Sequence, residues 1–367
     1  MSNAKASFHD VLEMAVNAGA SDVHIKEFSP VAVRIDGKMV YSDFVANTEF
    51  VNSFIDQVTS PKQQAVLEEE GDLDISHREE GVGRFRVNIH RQRTYTAVTL
   101  RYVKNEIRSF EELGLPPVLR EISKESRGIV VITGTTGSGK STTLAAMLDY
   151  INETRTEHVI TIEDPIEYEF EDKKSFFEQR EVGIDTISFN SALKHAMRQD
   201  PDIIMVGEMR DRISFEAALQ AADTGHLVLT TLHASNAPQT VNRILDLFEK
   251  DEQDPIRESL ANNLCAVISQ RLCRKVDGVG RVPVCEVMIN TPIVNKLLQE
   301  DRLERLGAAI ASGGGDGMMT FNQCLLNLID EGKISEEEAI KTSDNPEQLK
   351  MNLEGIFLNA GDNQIIG

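Results

Sequence analysis

Apolar residues recur at two different periods along this chain, and the change of period divides it. Phe8, Val11, Leu12, Ala15 and Val16 recur near helical spacing, which predicts an amphipathic helix within residues 4–18 that Gly19 stops. Ser21 to Lys26 and Val31 to Lys38 read as strands, the second alternating Val31, Val33 and Ile35 ahead of an Asp36-Gly37 turn. Helical patterns follow over Thr48 to Val58 and Pro61 to Glu70. Leu73 to Ser76, Arg84 to Arg91 and Thr96 to Val103 complete an antiparallel sheet. The pattern thus predicts a small α+β domain over residues 1–103.

Residues 104–127 read as a connector in which Pro116-Pro117 separate a short helix, Ser109 to Leu113, from another over Val118 to Lys124. From residue 128 to about 354 the pattern becomes α/β. Strands are expected at Ile129 to Thr133, His158 to Ile162, Asp202 to Glu208, which ends in an acid, Leu227 to Thr231 and Val282 to Met288, with a further arm at Phe176 to Arg180. Helices are expected over Thr142 to Asn152, Phe189 to Arg198, Ser214 to Asp223, Asn236 to Phe248, Pro255 to Val267, Pro292 to Leu298, Met319 to Ile329 and Glu336 to Ile340. Ala311 to Met318 holds four glycines and reads as a mobile surface connection, and residues 355–367 as a flexible tail.

Composition narrows the function classes. A chain of 367 residues with 41% apolar and 26% charged positions can bury a large core. Its net charge of −21 argues against a surface that holds nucleic acid throughout. Cys265, Cys273, Cys285 and Cys324 lack CxxC spacing, so neither a zinc ribbon nor a disulfide framework is expected. There is no signal-peptide pattern and no apolar run near 18 residues. The expectation is a cytoplasmic protein that meets a membrane only through partners.

The sharpest chemistry lies at Gly128 to Thr143, GIVVITGTTGSGKSTT. Residues 134–141 satisfy G-x-x-x-x-G-K-[ST] between a buried strand and a helix-forming run. Gly134, Gly137 and Gly139 let the backbone of Thr135, Thr136 and Ser138 turn its N–H groups toward phosphate. The helix N-terminus, entered by Lys140, Ser141 and Thr142, adds partial positive charge. Lys140 can reach the β- and γ-phosphates and the Ser141 hydroxyl can ligate Mg²⁺.

Acids follow two later strands, Glu163-Asp164-Pro165-Ile166-Glu167 after one and Glu208 after the other. Strand ends beside a phosphate loop are where metal-bound and attacking water need them. Glu163, Asp164 and Glu167 all remain open for the base. His226 precedes the next strand and His233 follows it; near a γ-phosphate either imidazole can report nucleotide state. In the first domain, Arg84, Arg86, Arg91, Arg93 and Arg101 form a row whose paired members share strand faces. It reads either as a solvated face or as positive charge delivered to a polyphosphate.

Taken in order, GTTGSGKSTTLAAMLDY, ITIEDPIEYEF, LKHAMRQDPDIIMVGEMRD and ADTGHLVLTTLHASNAPQTVNRI resemble the phosphate loop, Asp box, Walker B segment and His box of PilT/PilU-type pilus motors in the secretion ATPase superfamily. GASDVHIK and GRFRVN are similar to that family's N-terminal domain. The resemblance covers residues 1 to about 350. It implies a PAS-like N-terminal domain, a RecA-like ATPase domain and a homohexameric ring hydrolysing ATP with Mg²⁺, held by Ser141 and, partly through water, by Glu208. It favours Glu167 as the catalytic glutamate, with Glu208 as Walker B acid, His226 and His233 as the His-box pair, and Arg84, Arg86, Arg93, Arg101 and Arg210 as arginines that close a nucleotide site.

By the same resemblance the work is pilus retraction and twitching motility, on a platform protein at the inner membrane, with no structural zinc and no nucleic acid expected. Two departures bear on the subtype. The tetracysteine element of assembly and type II secretion ATPases is absent, which favours retraction over those alternatives. Ile293 to Glu300, IVNKLLQE, keeps the apolar spacing of the retraction motors' AIRNLIRE segment without its arginines. An accessory, PilU-like ring dependent on a paralogous retraction ATPase therefore stays open.

Overall fold

The structure, a computed structural model, describes residues 7–35, 37–103 and 106–356. The start of the expected first helix, Asp36 of the expected turn and the tail from residue 357 lie outside them. The chain divides into two compact units, one through Glu106 and one from Ile107.

In the first unit, helix α1 (Phe8–Asn17) opens on a capping box formed by Ser7 and Asp10. Six strands follow: β1 (Asp22–Lys26), β2 (Ser29–Ile35), β3 (Lys38–Ala46), β4 (Asp72–Glu79), β5 (Gly83–Gln92) and β6 (Tyr95–Val103). They form an antiparallel sheet in the order β3-β2-β1-β6-β5-β4. Helices α2 (Thr48–Val58) and α3 (Pro61–Glu70) are inserted after β3. Val23, Ile25, Phe85, Val87, Ile89, Val98 and Leu100 share the buried cluster with α1 and α2 residues such as Leu12 and Phe54. The alternate positions Asp22, Arg86, Asn88, Thr99 and Arg101 line a shallow groove on the other face. Strand β3 was not expected. It lies at the sheet edge with Met39, Val40 and Tyr41 exposed, so it lacks the buried alternation that marks its neighbours.

The second unit begins with α4 (Phe110–Leu113) and α5 (Val118–Ile122). These are not a free connector. Phe110, Leu115, Leu119 and Ile122 are buried in one cluster with Val130, Met147 and Leu148. The sheet comprises β7 (Gly128–Thr133), β8 (His158–Glu163), β9 (Phe176–Glu181), β10 (Ile203–Val206), β11 (Leu227–Leu232), β12 (Leu264–Arg274) and β13 (Arg281–Ile289). Its order is β13-β12-β7-β11-β10-β8-β9, parallel throughout except for antiparallel β13 at one edge.

Helices α6 (Lys140–Thr154), α7 (Phe189–Ala196), α8 (Arg212–Asp223), α9 (Ala237–Leu245) and α10 (Gln253–Asn263) come between the strands. After the last strand come α11 (Pro292–Gln299), α12 (Leu306–Ser312), α13 (Phe321–Asp330), α14 (Glu336–Thr342) and α15 (Pro346–Leu353). Central strands buried on both faces explain the near-continuous apolar runs in the sequence.

Two expectations in this unit fail and one helix was not expected, each for an identifiable reason. The helix expected to run to Val267 ends at Asn263, and β12 takes over. An apolar run such as LCAVIS suits a doubly buried strand as well as a helix, and periodicity cannot separate them. The glycine-rich stretch at 311–318 is anchored rather than a free surface connection: Gly313 and Met318 are buried and a Cβ on Gly317 would lie 2.5 Å from Val118, while residues 314–316 between them stay exposed. The amphipathic pattern of α15 was missed because only Leu349 is buried.

One buried carboxylate joins the late strands to α9. Glu286 on β13 accepts from the Ala237 backbone N–H at 2.7 Å, and burial raises its pKa to about 7 from an ordinary 4.5. The folded state therefore binds this proton more tightly than the unfolded state, so the group's contribution to stability falls as pH rises between those values. Chemical denaturation across this range should show wild type losing about 3 kcal/mol relative to Glu286→Gln, with parallel curves above pH 8.

Candidate functional site

Parallel packing brings the carboxyl ends of β7, β8, β10 and β11 to one edge of the sheet. In register, Thr133 pairs with Leu232, Thr230 with Val206, and Val206 with Ile162. The segments after those strands carry the phosphate loop, the 163–167 acids, Glu208 and His233. The carboxyl edge of an open α/β sheet is its usual ligand crevice.

The phosphate loop leaves β7 at Gly134 (φ 149°) and enters α6 at Gly139 (φ 91°). Both lie against β12. A Cβ on Gly134 would stand 2.4 Å from the Gln270 carbonyl oxygen, and one on Gly139 2.8 Å from the Gln270 side-chain amide. Gly137 (φ 78°) faces open space and is required only for its backbone conformation. Gln270 also donates from Nε2 to the Ser138 carbonyl (2.9 Å) and accepts from Thr143 Oγ1 (2.7 Å). Thr135, Thr136 and Gly137 are exposed, whereas the Ser138 hydroxyl is buried and has no hydrogen-bond partner among the described residues. Lys140 Nζ donates to the carbonyls of Gly134 (3.0 Å) and Thr135 (3.2 Å), a position at the mouth of the loop.

Burial lowers the Lys140 pKa, while the charges of Glu208 and Glu167 oppose the shift, so these three groups occupy one electrostatic neighbourhood. For Glu208, burial pushes the pKa up, but the Arg210 hydrogen bond and charge, helped by His233 and Lys140, hold it below the ordinary carboxylate value. Arg210 contacts Glu208 Oε2 at 2.6 Å and His233 Nε2 lies 3.1 Å from Oε1. Glu163 is different. Burial raises its pKa, and its oxygens accept from Thr161 Oγ1 (2.8 Å), Gln179 Nε2 (3.2 Å) and the Glu167 N–H (3.3 Å). It is enclosed by donors, while Asp164 is exposed and Glu167 half-buried.

The two histidines are not neighbours within one chain. His233 follows the carboxyl end of β11, but His226 precedes the amino end, roughly 20 Å away along the strand. There His226 Nδ1 meets the Ala221 carbonyl at 2.8 Å. Among the N-terminal arginines, Arg84 is buried and donates from Nε to Ser76 Oγ (2.7 Å), and Arg101 donates from Nε to Asp22 (2.9 Å). Arg86 pairs across strands with Arg101. Arg93 does not share a strand face with Arg91: Arg93 and Thr94, both at positive φ, form the two-residue β5–β6 hairpin turn.

Sequence reading missed Gln270, Tyr168 and Gln179. The Tyr168 hydroxyl lies 2.9 Å from Thr142 Oγ1 at the start of α6. Gln270 does carry a signal, an amide directly after the apolar run LCAVI and Ser269, which becomes meaningful only once β12 is known to flank β7.

The family model described as "Type II/IV secretion system protein" matches residues 3–332. The chain belongs to this family. It is 42% identical to the type IV pilus retraction ATPase PilT of Pseudomonas aeruginosa over 341 residues, 93% of this chain and 99% of the relative. The type IV pilus ATPase PilU of the same organism is 37% identical over 94% of this chain and 90% of its own length. The crystal structure of the pilus retraction motor PilT with bound ADP superposes with a TM-score of 0.87 at 43% identity, covering 94% of this chain and 99% of that one. These likenesses make the protein a PilT/PilU-type secretion ATPase with a PAS-like α+β unit ahead of a RecA-like α/β unit.

The contact of Gly134 with Gln270 gives a test of this loop in that ATPase. Gly134→Ala has no room for its methyl group and forces an unfavourable φ, so titration with a fluorescent ADP analogue should show affinity reduced more than about tenfold.

Proposed function

We propose that this protein is the ATP-hydrolysing motor of type IV pilus retraction, working as a homohexameric ring at the inner-membrane pilus platform, on its cytoplasmic side. The observation that carries the reading is the gathering of Lys140, Glu167, Glu208 and His233 at one sheet edge beside a phosphate loop. The names of its relatives, a type IV pilus retraction ATPase and a twitching motility protein, supply the work that such a site would drive. None of the helices formed by the described residues is long and apolar enough to cross a membrane, so attachment would run through a partner.

In this reading the N–H groups of residues 135–139 and the Lys140 ammonium hold the β- and γ-phosphates of ATP. Ser141 and Glu208 would hold Mg²⁺, which supplies neutralisation of phosphoryl charge; the depressed pKa of Glu208 keeps it ionised for that purpose. Glu167 orients the attacking water and takes its proton. Glu163, already surrounded by donors and made less acidic by burial, is unsuited to that step. His233 lies in the loop into α9 and touches Glu208, so it can pass loss of the γ-phosphate to the rest of the unit. Arg86, Arg93, Arg101 and Arg210 are the candidates for charge delivered to a nucleotide in the ring. In this reading Arg84, buried and bonded to Ser76, and His226, on the Ala221 carbonyl, serve structure rather than the nucleotide.

Two variants divide binding from chemistry. Lys140→Ala should lose most nucleotide affinity and turnover. Glu167→Gln should bind nucleotide and assemble normally while kcat falls by about 100-fold or more, measured by phosphate release. Live imaging of labelled pili in a deletion strain tests the cellular role: extended pili should retract with wild type and not with Glu167→Gln. Retraction with both would indicate an accessory ring beside another ATPase, and absence of pili in the deletion strain would indicate assembly or secretion.

A further inference from the structure

Residues 164–170 carry Glu167 yet form neither helix nor strand. A base must nevertheless be placed to within about an ångström of its water, because larger errors cost orders of magnitude in rate. The backbone of this segment is held from below by side chains of β8 and β9. The Ile166 N–H donates to Glu181 Oε2 (3.1 Å) and the Glu167 N–H to Glu163 Oε2 (3.3 Å). Gln179 then grips the far side of Glu167 twice, accepting from the Phe170 N–H (2.8 Å) and donating to the Tyr168 carbonyl (2.8 Å). Its Nε2 also reaches Glu163 Oε1 (3.2 Å), so one amide ties both ends of the loop together. On the other side of the same loop the Tyr168 hydroxyl meets Thr142 of α6, which joins the segment to the phosphate-binding helix.

We propose that Gln179 is a positioning residue for ATP hydrolysis: its side-chain amide fixes the backbone just after Glu167 and steadies Glu163, whose carboxylate accepts from the Glu167 N–H, and the pair so sets where the Glu167 carboxylate meets water. This rests on the assignment of Glu167 as the base. Gln179 itself touches neither nucleotide nor water in this role. Glu163 serves as a buried acceptor for the loop, which explains why a strand-end carboxylate so close to the site is surrounded by donors.

The test is a double-mutant cycle on the full-length assembled protein, reading steady-state kcat and KM for ATP and the Kd of a fluorescent ADP analogue. Gln179→Met keeps the length and packing of the side chain but removes both the donor and the strong acceptor. It should lower kcat by about 10- to 100-fold while Kd changes by less than about twofold. In a Glu167→Gln background the same substitution should have no further effect, because nothing remains to be positioned.

Wild-type kcat in Gln179→Met, or a double variant slower than Glu167→Gln by the full single-mutant factor, would overturn the proposal and leave the base assignment standing. Wild-type turnover in Glu167→Gln alone would instead overturn the base assignment and, with it, the premise of the proposal. If Gln179→Met melts early, Gln179→Leu also removes both the acceptor for Phe170 and the donor to Tyr168 while keeping an apolar side chain of similar size. The same pattern of kcat loss is then expected, and wild-type kcat in that variant would count against the role of Gln179.

Discussion

The close approach of β12 to the phosphate loop is the constraint on which the site depends. Gln270 occupies the space that side chains at positions 134 and 139 would need, and its amide holds Ser138 and Thr143. The loop is therefore fixed between two neighbouring strands and the start of α6 rather than being a free turn. Its exposed middle, residues 135–137, keeps its backbone N–H groups available while both ends are anchored.

Three carboxylates near this loop have been given different environments, and the environments separate their roles. Glu208 faces Arg210, His233 and Lys140, which keep it charged despite partial burial. Glu163 is buried more completely and is engaged by three donors that include the Glu167 backbone. Glu167 is half-buried, with its backbone tied down and its charge felt by Lys140. In the proposed reading, a structural acceptor, a base and an ion-paired carboxylate lie beside one another because burial and hydrogen bonding, not residue type, decide their chemistry.

Much of this was legible in the sequence. The phosphate loop, the strand-end acids and the positions of β7, β8, β10 and β11 follow from residue type and spacing, because buried parallel strands flanked by glycine and acidic residues leave a strong local signal. Strand β3 left none, being an exposed edge whose pattern is set by pairing with β2. The change from α10 to β12 was hidden by an apolar run compatible with either state, and with it Gln270 was hidden as a partner of the loop. The separation of His226 from His233 follows from strand length, but the surroundings of each required the fold. Gln179 could not be found from spacing at all, since its partners lie 9 and 11 residues earlier in an irregular loop.

The most direct measurement is a structure of the assembled protein with Mg²⁺ and a non-hydrolysable ATP analogue. The account predicts the phosphates on the 134–141 loop, Lys140 turned from the Gly134 and Thr135 carbonyls to the γ-phosphate, and the in-line water on Glu167. An in-line water held by Glu163 or Asp164, or a nucleotide seated away from the carboxyl edge of β7, would contradict it.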